Sequence, residues 1–128
     1  MVPARRLSAI LVAAFVALSA HADDPVKRIP LERSDLAGTN LVAVSARVEA
    51  APGAQLARHV HPGVELTTCI SGELELSIDG QPTRHIGAGD HFQVPAGVAH
   101  SIKFGTEPTV LLAAFVVEKD KPLSSPAP

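Results

Sequence analysis

A chain of 128 residues with a formal net charge of −2 has room for one small domain and carries no charge excess that would draw it to phosphate backbones or anionic lipid. It has no Trp, no Tyr and four Phe, which excludes base-stacking platforms and aromatic cages as organising features. One cysteine, Cys69, excludes an internal disulfide and leaves stability to packing.

The chain opens with Arg5-Arg6, the mostly apolar Leu7–Leu18 and then Ala20-His21-Ala22, which is the order of charged, apolar and small-residue regions in a secretory signal. Cleavage after Ala22 is expected, giving a periplasmic or secreted protein with no membrane association; an uncleaved anchor is the alternative. The apolar run is shorter than the roughly 20 residues a bilayer requires. The adjacent arginines are similar to those of a twin-arginine signal, but nothing else of that signal is present. General secretion of an unfolded chain would follow, with any metal loaded after export. His21 belongs to the removed segment.

Beyond it, Asp23–Gly38 mixes prolines and charges around a short lead-in strand, Val26–Ile29. Asn40–Ala50 is the first clear strand: Val42, Val44, Ala46 and Val48 alternate with Ala43, Ser45, Arg47 and Glu49. Short strands then recur between Gly and Pro turns, over residues 55–61, 64–70, 73–78, 83–86, 91–94, 100–104 and 109–118. Asp79-Gly80 marks a hairpin. No stretch has a helical period. The pattern predicts an all-β fold, a closed antiparallel barrel or double-sheet jelly roll spanning 23–118. Residues 119–128, with three prolines and two serines, read as a disordered tail.

Chemistry concentrates between Gly53 and His100. Residues two apart on an extended chain share a face, so His59 and His61 point the same way, and Glu65 regains that direction after Pro62-Gly63. His100 follows the turn Pro95-Ala96-Gly97. Three imidazoles and a carboxylate suit a divalent transition metal (Fe, Mn, Ni, Zn or Cu) better than Ca or Mg, which prefer all-oxygen shells. Glu65 could instead serve as a general base beside a three-histidine metal. His85 and His91 should face water, since Ile86, Phe92 and Val94 take the inward positions, and Arg58 should be a surface charge. Cys69 shares the parity of Glu65 and should point inward. As a small buried apolar residue it would be inert; as a redox-active thiol or soft ligand it would not.

The spacing resembles the cupin family. The first cupin motif reads Gly, five residues, His-x-His, three or four residues, Glu, six residues, Gly, matched here by Gly53, His59, His61, Glu65 and Gly72. The second reads Gly, five residues, Pro-x-Gly, two residues, His, three residues, Asn; Gly89, Pro95, Gly97 and His100 match it, while Phe104 stands at the Asn position. The resemblance implies a double-stranded β-helix whose ligands project into the mouth of a small barrel. It also implies Glu65 as a metal ligand and a homodimer through exchange of the first strand.

By parity from His100, Phe104 should bring an apolar ring to the site, and Phe92, Ile102 and Cys69 are the other expected pocket-wall residues. Four protein ligands on a metal that accepts six leave open positions, a catalytic feature. The expectation is a metalloenzyme that oxidises or isomerises a small organic substrate, and the cupin resemblance implies a metal-dependent oxygenase, dioxygenase-like, as its form. A non-enzymatic module binding a metal or small molecule is the competing class, and a barrel that has kept the motif without metal is a third.

Overall fold

Alternation of apolar and polar side chains builds this molecule, and in the computed structural model, which describes residues 24–128, every regular element is a strand. The expected export segment Met1–Ala22, with His21, lies outside the described residues. In chain order the strands are β1 (Val26–Asp35), β2 (Leu41–Ala50), β3 (Gln55–Val60), β4 (Gly63–Ser71), β5 (Glu73–Ile78), β6 (Arg84–Gly87), β7 (His91–Val94), β8 (His100–Phe104), β9 (Thr109–Glu118) and β10 (Ser125–Pro126). They form two five-stranded antiparallel sheets, ordered β1-β2-β9-β4-β7 and β10-β3-β8-β5-β6. No helix of the described residues is long and apolar enough to cross a membrane.

The alternation decides which side chains meet between the sheets. On β9, Thr109, Leu111, Ala113, Phe115 and Val117 are all buried, and on β5 Leu74, Leu76 and Ile78 turn inward. They join Phe92, Val94, Ile86, Ile102 and Phe104 in one core drawn from both sheets. Each large apolar side chain taken fully from water contributes about 1.5–3 kcal/mol, so this layer, with no disulfide, supplies the cohesion. The motif glycine Gly72 closes the turn between β4 and β5 at φ +79, and a Cβ there would lie 2.3 Å from Thr109 Oγ1. Both the backbone conformation and the close approach demand glycine.

Two segments depart from expectation. The lead-in strand is not Val26–Ile29 but the ten-residue β1, paired with β2 from Val26↔Ala50 to Asp35↔Val42, with a bulge between Pro30 and Glu32. As an edge strand it tolerates Pro30, and because every residue after Val26 is exposed it has no alternation to read. The second correction concerns residues 119–128, expected to be disordered. They fold back across the barrel, where Ser125 and Pro126 pair with Val60 and His59 of β3 and Ala127 donates its N–H to Arg58 O at 3.2 Å. The open edge of β3 supplies backbone partners that no side-chain pattern announces.

Candidate metal centre

The two sheets bring the four expected donors to one place. His59 on β3 and His100 on β8 are direct cross-strand partners, which sets their ring centroids 4.1 Å apart. His61, just past the end of β3, brings its ring to 4.9 Å from His59 and 5.0 Å from His100. The donor atoms of the three histidines lie within 4.8 Å of one another. Glu65 enters from β4 in the opposite sheet: its Oε2 is 3.1 Å from His61 Nε2 and 3.0 Å from His100 Nε2. Its other oxygen, Oε1, accepts a 2.7 Å hydrogen bond from Thr67 Oγ1. His61, Glu65, Thr67 and His100 are buried, and His59 is partly so.

Backbone carbonyls orient all three rings. His59 Nδ1 lies 2.7 Å from Ala57 O, His61 Nδ1 lies 2.7 Å from Leu123 O, and His100 Nδ1 lies 3.1 Å from Val98 O. A carbonyl only accepts, so each ring carries a proton on Nδ1 and turns Nε2 inward, where His61 and His100 donate to Glu65 and an incoming metal would displace those Nε2 protons to take the lone pairs, the arrangement of a ligating imidazole. The turn before His100 is tied to the first motif as well, since Gly97, at φ +71, donates its N–H to His61 O at 3.0 Å.

The electrostatics fit a cation. Burial alone would raise the Glu65 carboxyl, but hydrogen bonds from His100, His61 and Thr67 outweigh it and hold the group at about 2. Burial pushes His59 below the ordinary imidazole value, against the opposing pull of the Ala57 carbonyl. At neutral pH the cluster therefore offers one buried negative charge and a neutral, lone-pair-bearing ring at His59. That donor set matches a divalent transition metal.

His59, His61 and Glu65 border a cavity of about 570 Å³, walled by apolar residues of β2 and β9 (Val44, Ala46, Val48, Leu111, Ala113 and Phe115) and by Leu56 and Ile102. Phe115 stacks obliquely on His61, with centroids 4.9 Å apart. Arg28 and Pro30 of β1 and residues 123–126 complete the lining from the two sheet edges. Arg28 has no acidic partner among the described residues, its nearest polar contact being Val26 O at 3.4 Å.

Of the expected wall residues, Ile102 lines this cavity, whereas Cys69, Phe92 and Phe104 do not. All three point inward as parity required and are buried in the core. What parity cannot give is height: at about 3.3 Å per residue, Phe104 lies about 13 Å along β8 from His100, and Cys69 equally far along β4 from Glu65. Phe92, opposite Thr67 on β7, sits at the far edge of its sheet from β2 and β9. The Cys69 thiol faces Ser71 O and Gly72 O, and burial pushes its pKa up, so it stays protonated. Arg58 is exposed and paired with Asp79, with Nη2 at 2.6 Å from Oδ2. His85 contacts Glu73 at 3.3 Å and His91 lies 3.1 Å from Thr68 Oγ1, both on the outside and apart from the cluster.

A family model for the cupin domain matches residues 46–115, more than half of the sequence. The chain belongs to the cupin family. This cupin is 35% identical over 57 residues to the dimethylsulfoniopropionate lyase DddQ of Ruegeria pomeroyi, a match covering 44% of the chain and 28% of that relative. The DddQ crystal structure superposes with a TM-score of 0.62 at 25% identity, over 66% of the chain and 43% of DddQ. An oxalate oxidase structure gives a TM-score of 0.59 at 26% identity over 66% of this chain and 46% of its own. The fit extends to a smaller cupin superfamily protein from Desulfitobacterium hafniense, with a TM-score of 0.62 at 21% identity over 78% and 84% of the two chains. The cupin therefore spans less than half of DddQ and of the oxalate oxidase, and its architecture is the double-stranded β-helix of the superfamily. The three-histidine cluster points to a metal.

Two features of the site were not expected from sequence. Thr67, two residues beyond Glu65 and so on the same face of β4, had a parity signal. The Leu123 carbonyl, inside an irregular proline-containing segment, had none.

Proposed function

We propose that this cupin is a metal-dependent enzyme that acts on a small organic molecule bearing a carboxylate, hydroxyl or keto oxygen on an apolar body, oxidising it with dioxygen or isomerising it. The observation that carries the reading is the convergence of three imidazoles and a buried carboxylate, of which His59, His61 and Glu65 border an apolar cavity large enough for such a molecule. Likeness to a dimethylsulfoniopropionate lyase and to an oxalate oxidase supports a carboxylate-bearing substrate.

His59, His61, His100 and Glu65 would hold the ion. When bound, a divalent transition metal supplies Lewis-acid polarisation of a substrate oxygen and, for a redox-active metal, electron transfer. The walls of β2 and β9 exclude water and strengthen electrostatic effects within the cavity. Glu65, ionised at neutral pH, lowers the net charge of the centre, and a movement away from His61 and His100 would free it to take a proton from a bound substrate. Arg28 at the rim is placed to receive an anionic group that reaches outward.

Elemental analysis of the purified protein, followed by oxygen-uptake and product assays on metal-loaded samples with catechols, flavonols, diketones and short carboxylates, tests the reading. One transition metal per chain with turnover of one substrate class is expected. Fully loaded protein that turns over none of them would overturn the enzymatic reading, and a chain that takes up no metal would overturn the site.

A further inference from the structure

The three imidazoles are oriented in two different ways. His59 and His100 each turn Nδ1 to a carbonyl two residues away in their own segments, Ala57 and Val98, so their partners are built with the strands that carry them. The partner of His61 is 62 residues away in sequence, the carbonyl of Leu123 at 2.7 Å. One of three candidate ligands thus depends on a segment outside the core of the barrel.

That segment is lightly attached. Residues 122–127 are held to β3 by the Ser125↔Val60 and Pro126↔His59 pairs and the Ala127 N–H to Arg58 O bond. Leu123 is 37% exposed, and residues 121, 122, 124 and 126 are exposed or partly so, while residues 123–126 border the cavity. We infer that residues 122–127 form a strap whose Leu123 carbonyl is a positioning group for His61, fixing its proton on Nδ1 so that Nε2 faces the metal. The inference rests on the metal-site reading above, and it deepens that reading by assigning control of one ligand to a detachable strand. Loss of such an outer partner typically weakens metal binding by about 10–100-fold.

The test replaces residues 122–127 in the full chain with a Gly-Ser segment of equal length, which keeps backbone carbonyls but, as flexible coil without Pro122, Leu123 and Pro126, no longer fixes one of them against His61. Ni(II) affinity is read by calorimetry, and the side-chain nitrogens of the three ligand histidines by NMR on metal-free and Zn(II)-loaded protein. Expected are a β-sheet circular dichroism spectrum like that of the parent, Ni(II) affinity lower by about 10–100-fold, and altered resonances at His61 while those of His100, which does not pair with the strap, hold. A merely structural role for the strap would disturb His61 and His100 alike or neither. Affinity within twofold of the parent and unchanged His61 resonances would overturn the inference. Should the replacement fail to fold, Ala127→Pro removes only the anchoring N–H and must shift the same quantities in the same direction by a smaller amount. If the intact chain binds neither Ni(II) nor Zn(II), the metal reading fails; the strap is then judged on the His61 resonances of the metal-free chain alone.

Discussion

His100 Nε2 lies 3.0 Å from Glu65 Oε2, a contact that joins β8 of one sheet to β4 of the other through the interior of the barrel. The same oxygen lies 3.1 Å from His61 Nε2, so a single buried carboxylate atom is where the two sheets meet electrostatically.

Removing that charge should be felt in binding and in folding. Glu65→Gln keeps the size of the side chain and an oxygen to accept from Thr67 but leaves His61 and His100 without a charged acceptor. Ni(II) affinity should fall by more than the roughly 10–100-fold that follows loss of an outer partner. The metal-free variant should lose about 1–3 kcal/mol in denaturant titrations at pH 7, the typical cost of unsatisfying buried polar groups. Unchanged affinity would show that the ion, if bound, sits elsewhere.

Metal should stabilise the fold, because it bridges sheets that are separate in the unfolded chain. At free metal 100 times Kd the gain is about 2.7 kcal/mol, corresponding to a rise in Tm of roughly 10 °C for a domain of about this size. Calorimetric scans with metal and after chelation measure it. A Tm indifferent to both treatments would remove the site from the structural account.

Acid acts on the same cluster at two places. The Glu65 carboxyl is depressed in the folded state to about 2 from an ordinary 4.5, so its contribution is fully present above about 4.5 and is lost as pH falls toward 2. His59 is also depressed, below 6.5; the unfolded chain takes the proton first, and stability drops as pH falls below that value. The Tm of the metal-free protein, followed from pH 8 to pH 3, should therefore decline, beginning below about 6.5 and steepening below 4.5. A Tm that rose as pH fell from 6.5 to 5 would contradict the His59 assignment, and one that rose as pH fell from 4.5 to 3 the Glu65 assignment.

Phe104 offers a contrast, because it occupies a motif position yet belongs to the core. At 5% exposure, opposite Leu74 and away from the main cavity, its ring is packing material. Phe104→Asn, which restores the motif residue, should cost about 3 kcal/mol or more through the lost ring and a buried amide. It should leave Ni(II) affinity unaltered, as calorimetry on the folded fraction would show. A gain in affinity would place the residue at the metal after all.

The alternating segments β2, β5 and β9 were legible in sequence because one face of each is buried and the other wet. The donors were legible because His59, His61 and Glu65 lie close together along the chain and the register of β3 with β8 adds His100. What stayed hidden has a common cause. Parity tells which way a side chain points but not how far along or around the barrel it stands, which moved Phe104 and Cys69 (along their strands) and Phe92 (across its sheet) out of the site. Edge segments use backbone bonds, which any residue can supply, so most of β1 and all of β10 left no side-chain pattern.

The hydrogen bond from Gly97 N–H to His61 O couples the loop ahead of one donor to the backbone of another. Anyone grafting a relative's Pro95–Gly97 loop onto this scaffold would also be re-aiming His61, so a working chimaera has to exchange both stretches as one cassette.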